Sequence, residues 1–172
     1  MHQTQNLIYR KITLDDAEEI YELDSNAEVH RYLGNKPIQS LDKAKEIIEY
    51  IISQYEINGI GRYAVIEKKS GDFVGWTGLK LEDKETNGYV NYYDIGYRFI
   101  PRFWGKGYGY ESAKFWFDYG FDELRLDKIC GAAHIENIGS NKILQKIGLR
   151  FVNKFEYDGA LHNWYELGRG IK

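Results

Sequence analysis

Three glycines alternate with larger residues in the segment Gly105-Lys106-Gly107-Tyr108-Gly109. The segment follows a run typical of a strand, which ends near Ile100, and it precedes an amphipathic run typical of a helix. Glycine allows positive φ and a close approach of a ligand to the backbone. The first turn of a helix exposes N–H groups that have no partner within the helix. The pattern therefore predicts a pyrophosphate cradle made of the backbone N–H groups of residues 105–110.

Two other interpretations of this glycine segment stay open. A Walker loop requires Ser or Thr after Gly-Lys, but Gly107 follows Lys106. A dinucleotide-binding loop requires a third glycine where Tyr110 stands, although Asp127 lies at the spacing of its ribose-binding acid. The alternatives are thus a nicotinamide-dependent oxidoreductase and a tight turn that binds nothing.

The segments around the glycines predict an α+β domain with a mixed sheet. Alternation and turn residues predict strands over 7–12, 62–68, 72–82, 89–100, 128–135, 149–157 and 160–167. Helical spacing and caps predict helices over 14–23, 27–33, 41–58, 108–121 and 138–147. No composition break divides the chain, so residues 1–172 are expected to form a single domain.

Charge and composition exclude several classes of function. The 172 residues carry a formal net charge of −3, which gives no general attraction to nucleic acid. The single cysteine, Cys130, permits neither an internal disulfide nor a cysteine-rich zinc site, and no metal is expected. No apolar run approaches the ~20 residues that span a bilayer, and the first residues lack a signal-peptide pattern. We expect a cytoplasmic protein that binds neither nucleic acid nor membrane.

Two blocks of sequence resemble the GNAT superfamily of N-acetyltransferases, in the branch that contains ribosomal-protein N-terminal acetyltransferases. The first block joins Asp94-Ile95-Gly96-Tyr97 to Trp104-Gly105-Lys106-Gly107-Tyr108, where Trp104 replaces the family's usual Gln or Arg. The second follows the pattern Asn-x-x-Ser-x-x-x-Leu-x-Lys-x-Gly-Phe, with Leu149 in place of Phe, and its matching residues are Asn137, Ser140, Leu144, Lys146 and Gly148. The resemblance implies a mostly antiparallel central sheet with one splayed pair of parallel strands, flanked by helices.

The same resemblance implies transfer of acetyl from acetyl-CoA, without a metal, to a primary amine by direct attack. The amine would belong to a small molecule or to the N-terminus of a protein or peptide. A catalytically silent CoA-binding or interaction module is a further alternative, and homodimers are common in this branch. The residues implied to bind acetyl-CoA are Tyr97, Phe99, Ile100, Trp104, Gly105, Lys106, Gly107, Tyr108, Gly109, Tyr110, Asn137 and Ser140.

Three residues are implied to take part in catalysis. Asp94 is the candidate base for the amine, with a structural carboxylate paired to Arg98 or to a loop N–H as the alternative. Ser140 would protonate or hydrogen-bond the departing thiolate. Asn137 would bind the pantetheine amides or fix a water, or would only cap the next helix.

The resemblance implies three further roles: an oxyanion donor, a general acid and an acceptor pocket. A backbone N–H near Phe99 or Ile100 would stabilise the thioester oxyanion. Many relatives place a tyrosine acid where Leu144 stands, which leaves Tyr97 and Tyr108 as substitutes. The residues implied to line the acceptor pocket are Tyr32, Tyr157, His162 and Trp164.

Overall fold

A computed structural model describes residues 1–170 and contains one eight-stranded sheet. Along the sheet the order is β1-β2-β3-β4-β5-β6-β8-β7. Every neighbouring pair is antiparallel except β5 and β6, so the mixed, mostly antiparallel sheet is confirmed. The strands are β1 (His2–Gln3), β2 (Leu7–Lys11), β3 (Arg62–Glu67), β4 (Phe73–Glu82), β5 (Tyr92–Phe99), β6 (Lys128–His134), β7 (Arg150–Tyr157) and β8 (Ala160–Gly168).

Five α-helices connect the strands at the places that the pattern predicts. Ser40 caps the longest, where its hydroxyl accepts the N–H of Lys43, and Gly59 ends it with a φ of 71°. The helix expected over 14–23 begins instead as a 3-10 turn over Leu14–Asp16. The helices are α1 (Ala17–Asp24), α2 (Ala27–His30), α3 (Leu41–Asn58), α4 (Tyr108–Asp122) and α5 (Ile138–Lys146).

The parallel pair, β5 and β6, separates after a short contact. The two strands are in register only at Tyr93 with Ile129 and at Asp94 with Cys130. Beyond these pairs β5 continues against β4 as far as Phe99, and β6 continues against β8 as far as His134. A V-shaped cleft therefore opens between the two strands, which confirms the splayed pair.

Helices cover both faces of the sheet. On one face Tyr97 of β5 contacts Ser140 of α5, and Trp116 of α4 is fully buried against Tyr9 and Tyr63. On the other face Arg98, the next residue of β5, bonds to Asp24 of α1. This alternation sends neighbouring side chains of the cleft strands to opposite faces. Across residues 1–170 no helix is both long and apolar enough to cross a bilayer.

Candidate active site

The glycine segment forms a loop that leads directly into α4. Gly105 and Gly107 have φ values of 76° and 84°, and Gly107 is the N-cap of the helix. The first hydrogen bond of the helix runs from the N–H of Glu111 to the carbonyl of Gly107, at 3.0 Å. Within residues 1–170 the N–H groups of residues 105–110 have no protein acceptor. These consecutive donors, at the positive end of the helix dipole, form a site for an anion.

The three glycines of the loop have different roles. A Cβ atom added to Gly105 or Gly107 would meet no atom within 4 Å, so positive φ is the requirement there and the space above remains open. A Cβ atom at Gly109 would lie 2.9 Å from Cδ1 of Ile143 on α5. Gly109 therefore serves the close packing of α4 against α5.

The side chains of Lys106 and Tyr108 turn away from the cleft towards Glu67 at the end of β3. Lys106 Nζ lies 3.1 Å from Glu67 Oε1, and the Tyr108 hydroxyl donates to the same oxygen. Ser70 donates to the other oxygen at 2.7 Å. Donation by Tyr108, Ser70 and Lys106 lowers the pKa of Glu67 to about 2, and the bond to Glu67 raises the pKa of Tyr108 to about 12. The loop can therefore offer an anion its main chain, while these side chains anchor it to β3.

The edge of β5 that faces the cleft carries free main-chain groups. The N–H of Ile100 donates to the carbonyl of Val74 at 3.0 Å, so the predicted thioester contact to the N–H of Ile100 is wrong. Because antiparallel pairing uses alternate residues, the N–H and C=O groups of Phe99 and Tyr97 point away from β4 and into the cleft. The carbonyl of Phe99 accepts the indole N–H of Trp104 at 2.7 Å, which leaves its N–H open.

Asp94 lies where β5 and β6 begin to diverge, and it is paired with Arg62 of β3. One guanidinium nitrogen donates to Asp94 Oδ2, and the other donates to the carbonyls of Gly78 and, at 2.9 Å, of Asp94 itself. The alternative in which Asp94 pairs with Arg98 is wrong, since Arg98 bonds to Asp24 at 2.6 Å. Burial raises the pKa of Asp94 more than the positive charge of Arg62 lowers it. A carboxylate with a raised pKa is a better proton acceptor than an ordinary aspartate.

Tyr97 and Ser140 meet on the opposite face of the cleft. The Tyr97 hydroxyl lies 3.0 Å from Ser140 Oγ and donates to the Ser140 carbonyl at 3.2 Å. Burial raises the pKa of Tyr97, so its proton is retained near neutral pH. Asn137 accepts the N–H of Ser140 at 3.1 Å and is the N-cap of α5, as the cap reading of this residue expects.

A fourth polar residue of this region, Asn141, was not predicted from the sequence. Its amide nitrogen donates to the carbonyls of His134 and Asn137 at 2.9 and 2.8 Å. Its oxygen accepts from Asn163 Nδ2 and the Tyr165 hydroxyl, both at 2.7 Å. Asn141 thus fixes α5 to the ends of β6 and β8. One feature of the sequence could have identified Asn141: it is a polar residue three positions before buried Leu144, where an amphipathic helix would place an apolar one.

Three of the four predicted acceptor-pocket residues lie together. The Tyr32 ring is 5.4 Å from His134, and His134 is 5.4 Å from His162, which lies 5.7 Å from Tyr157. The prediction for Trp164 is wrong, because its side chain is 1% exposed and packs in the core. Its ring lies 5.0 and 5.1 Å from those of Tyr89 and Tyr92.

The remaining nucleophile and metal candidates do not form a site. Cys130 is fully buried, and burial raises the pKa of its thiol to about 12, which suppresses the thiolate that a nucleophile requires. In the part of the chain that the structure describes, no three residues of the types that ligate metals cluster together.

Comparison with known proteins identifies relatives that cover nearly all of the chain. Residues 6–150 match a family model described as an acetyltransferase (GNAT) domain. An uncharacterized N-acetyltransferase, p20, from Bacillus licheniformis is 30% identical over 97% of this chain and 88% of that protein. A spermidine N-acetyltransferase from Vibrio cholerae, solved with CoA and spermine, has a TM-score of 0.77 at 20% identity over 96% of this chain and 97% of that one.

A putative ribosomal-protein-serine acetyltransferase from Vibrio cholerae is similarly close in fold, with a TM-score of 0.76 at 21% identity over 96% of this chain and 95% of that one. The dinucleotide alternative does not fit this fold, because doubly wound sheets are mostly parallel and this sheet has one parallel pair. The glycine loop, the splayed strands and the family match agree, and the chain belongs to the GNAT family of N-acetyltransferases.

Proposed function

We propose that the protein transfers the acetyl group of acetyl-CoA to a primary amine by direct attack, with no covalent enzyme intermediate. The observation that carries this proposal is the row of free N–H groups at residues 105–110, placed at the mouth of the cleft between β5 and β6. The row suits the pyrophosphate of CoA, and the cleft has one open strand edge along which an extended thiol arm can pair. The pantetheine amides would bind the carbonyl of Tyr97 and the N–H of Phe99.

The two faces of the cleft supply the two proton-transfer groups. Asp94 first accepts, through a water, the proton that leaves the acceptor amine neutral. The neutral nitrogen then attacks the thioester carbon, and the N–H of Tyr97, which lies nearer to Asp94 than Phe99 does, donates to the oxygen that becomes negative. The remaining excess proton of the nitrogen leaves by the same water. The carbon–sulfur bond then breaks, and the departing thiolate takes a proton from the Tyr97 hydroxyl.

Tyr97 is the acid that the geometry favours. Leu144 is buried and has no proton to give, and the Tyr108 hydroxyl turns away from the cleft to Glu67. Tyr97 keeps its proton because burial raises its pKa, and Ser140 Oγ at 3.0 Å can relay a replacement proton. Asn137 positions Ser140 by accepting its backbone N–H.

The function is tested by following thiol release from acetyl-CoA in the presence of primary amines, with acetylated product identified by mass. We expect release that depends on both the amine and the protein. Binding of acetyl-CoA without release across small amines and peptide N-termini would contradict the proposal and leave a silent binding module. Failure to bind acetyl-CoA at all would contradict the cradle itself.

A further inference from the structure

Five aromatic rings form a continuous surface, which we call the ring wall. One ring follows α2 and the others belong to β6, β7 and β8: Tyr32, His134, Phe155, Tyr157 and His162. Phe155 lies 5.9 Å from His162 and 6.3 Å from Tyr157, and these distances link it to the rings described above. Such separations are those of aromatic pairs in contact. Tyr157 is 55% exposed and the other four are partly exposed, so the wall faces solvent.

The ring wall lies on the same face of the sheet as Asp94. Asp94 is in register with Cys130, so their side chains share a face, and alternation along β6 places Ala132 and His134 there as well. His134 is in register with His162 on β8. Between Asp94 and the rings, Ala132 is exposed and leaves room above the strand. His134 lies four residues, about 13 Å, along β6 from Cys130, so a small molecule on the ring wall places its amine beside Ala132 and reaches Asp94 only through water.

The carboxylates on this face of the sheet each lie beside a positively charged side chain. Asp94 pairs with Arg62 and Asp24 with Arg98. Strand register puts two further carboxylates on this face, and both have cationic partners: Glu82 lies 2.5 Å from Lys80, and Glu166 lies 3.3 Å from Lys128. An amine with several positive charges would find these carboxylates already paired.

Burial lowers the pKa of His162, which favours the uncharged form of this ring. His162 Nδ1 lies 3.1 Å from the carbonyl of Ala160 and must donate to it, so in the neutral ring the proton is on Nδ1. The wall therefore offers mainly a stacking surface.

We infer that the acceptor is a small primary amine carrying an aromatic ring, which stacks on the ring wall while its amine enters the cleft beside Ala132 and is linked to Asp94 through water. The inference rests on the proposed acetyl transfer and specifies its substrate class. The far end of the wall is bridged, because Lys36 Nζ binds both oxygens of Asp158 at 2.9 Å and joins the segment after α2 to the turn between β7 and β8. This bridge favours a compact amine over a long chain.

The test compares two amines of the same charge and similar size, 2-phenylethylamine and 2-cyclohexylethylamine, with spermidine as a polycation. We expect kcat/KM to favour the phenyl compound over the cyclohexyl one by about fivefold or more. Tyr32→Ala should remove this preference by raising KM for the phenyl amine, with KM for acetyl-CoA unchanged. Tyr50→Ala, a tyrosine outside the wall, should retain the preference.

Equal use of the two matched amines, or better use of spermidine, would overturn the ring-wall inference and leave acetyl transfer intact. If no amine is acetylated, calorimetric titration of the protein with 2-phenylethylamine tests the ring wall directly. Binding that Tyr32→Ala weakens and Tyr50→Ala does not would support the wall even if acetyl transfer failed. Binding that is absent, or that ignores Tyr32→Ala, would overturn it.

Discussion

The donor side of the cleft is built from main-chain groups, whereas the acceptor side is built from side chains. The proposed donor side is six consecutive residues, 105–110, whose main-chain N–H groups have no protein acceptor in the described part of the chain. The proposed acceptor side is assembled from side chains that α2, β6, β7 and β8 bring together, with Asp94 contributed by β5. The donor side should therefore be sensitive to backbone conformation and the acceptor side to side-chain chemistry. Substitutions that separate these two sensitivities test the comparison.

The largest effect is expected at Gly107, the left-handed N-cap of α4. In Gly107→Glu, strain at positive φ and a negative side chain in the cradle should together abolish acetyl-CoA binding, as measured by calorimetry. Gly88→Glu is a matched control, because Gly88 has a φ of 78° and equally open space but lies in the turn before β5. Normal affinity in the Gly107 variant would remove the cradle from the donor side.

Asp94→Asn should lower kcat about a hundredfold near neutral pH, since the amide accepts no proton. The loss should shrink above the pKa of the amine, where the acceptor arrives neutral. Because burial raises the pKa of Asp94, the wild-type rate should fall as pH drops through that raised value. The measurement is kcat against pH for both proteins.

The control for this variant is Asp24→Asn, which breaks the other aspartate–arginine pair of the same face. It should alter stability without creating a pH-dependent defect in kcat. A constant defect in Asp94→Asn at all pH values would show that Asp94 acts only through its contact with Arg62.

Tyr97→Phe should lower kcat about tenfold, with KM for acetyl-CoA little changed, because the variant retains the ring and loses the proton for the thiolate. Tyr9→Phe is the control, since its hydroxyl is also buried and bonds to Ser112 and Thr4 away from the cleft. Steady-state kinetics of both variants suffice. An unchanged kcat in Tyr97→Phe would assign the acid to another donor, such as Ser140 or water.

The smallest effect is on stability and concerns Glu67, which anchors the loop. Three donors lower its pKa from 4.5 to about 2, so its contribution to the free energy of unfolding is complete above the unfolded value and is lost as pH falls from 4.5 towards 2. Urea midpoints of wild type and Glu67→Gln should differ at pH 7 and converge near pH 2. A difference that does not depend on pH would show that the Glu67 charge contributes nothing.

The sequence predicted the conformation of the glycine loop well because the determinants of that conformation are local. Positive φ at Gly105 and Gly107, the cap at Asn137 and the start of α4 follow from residue types within one or two turns. The role of Gly109 was hidden, since the close side chain, Ile143, comes from a helix more than thirty residues later. Strand bounds moved by a few residues where turns intervene, as at Asn91, whose φ of 53° precedes β5.

The partners on the acceptor side depended on pairings that the sequence does not encode locally. Arg62 reaches Asp94 across β4, although Arg98 is closer in sequence and on the same strand. The family resemblance implied a pocket role for Trp164 because it lies on the last hairpin, but strand register places it under Tyr89 and Tyr92. Each of these errors reflects long-range packing that overrides a local pattern.

The most direct test of the donor site is an amide-resolved NMR titration of the protein with acetyl-CoA. The largest saturable shifts should fall on the N–H groups of residues 105–110 and on that of Phe99, with the turn at Gly88 unaffected. Shifts concentrated elsewhere, or no saturable shift at millimolar acetyl-CoA, would contradict a cofactor site built from the main chain of this loop.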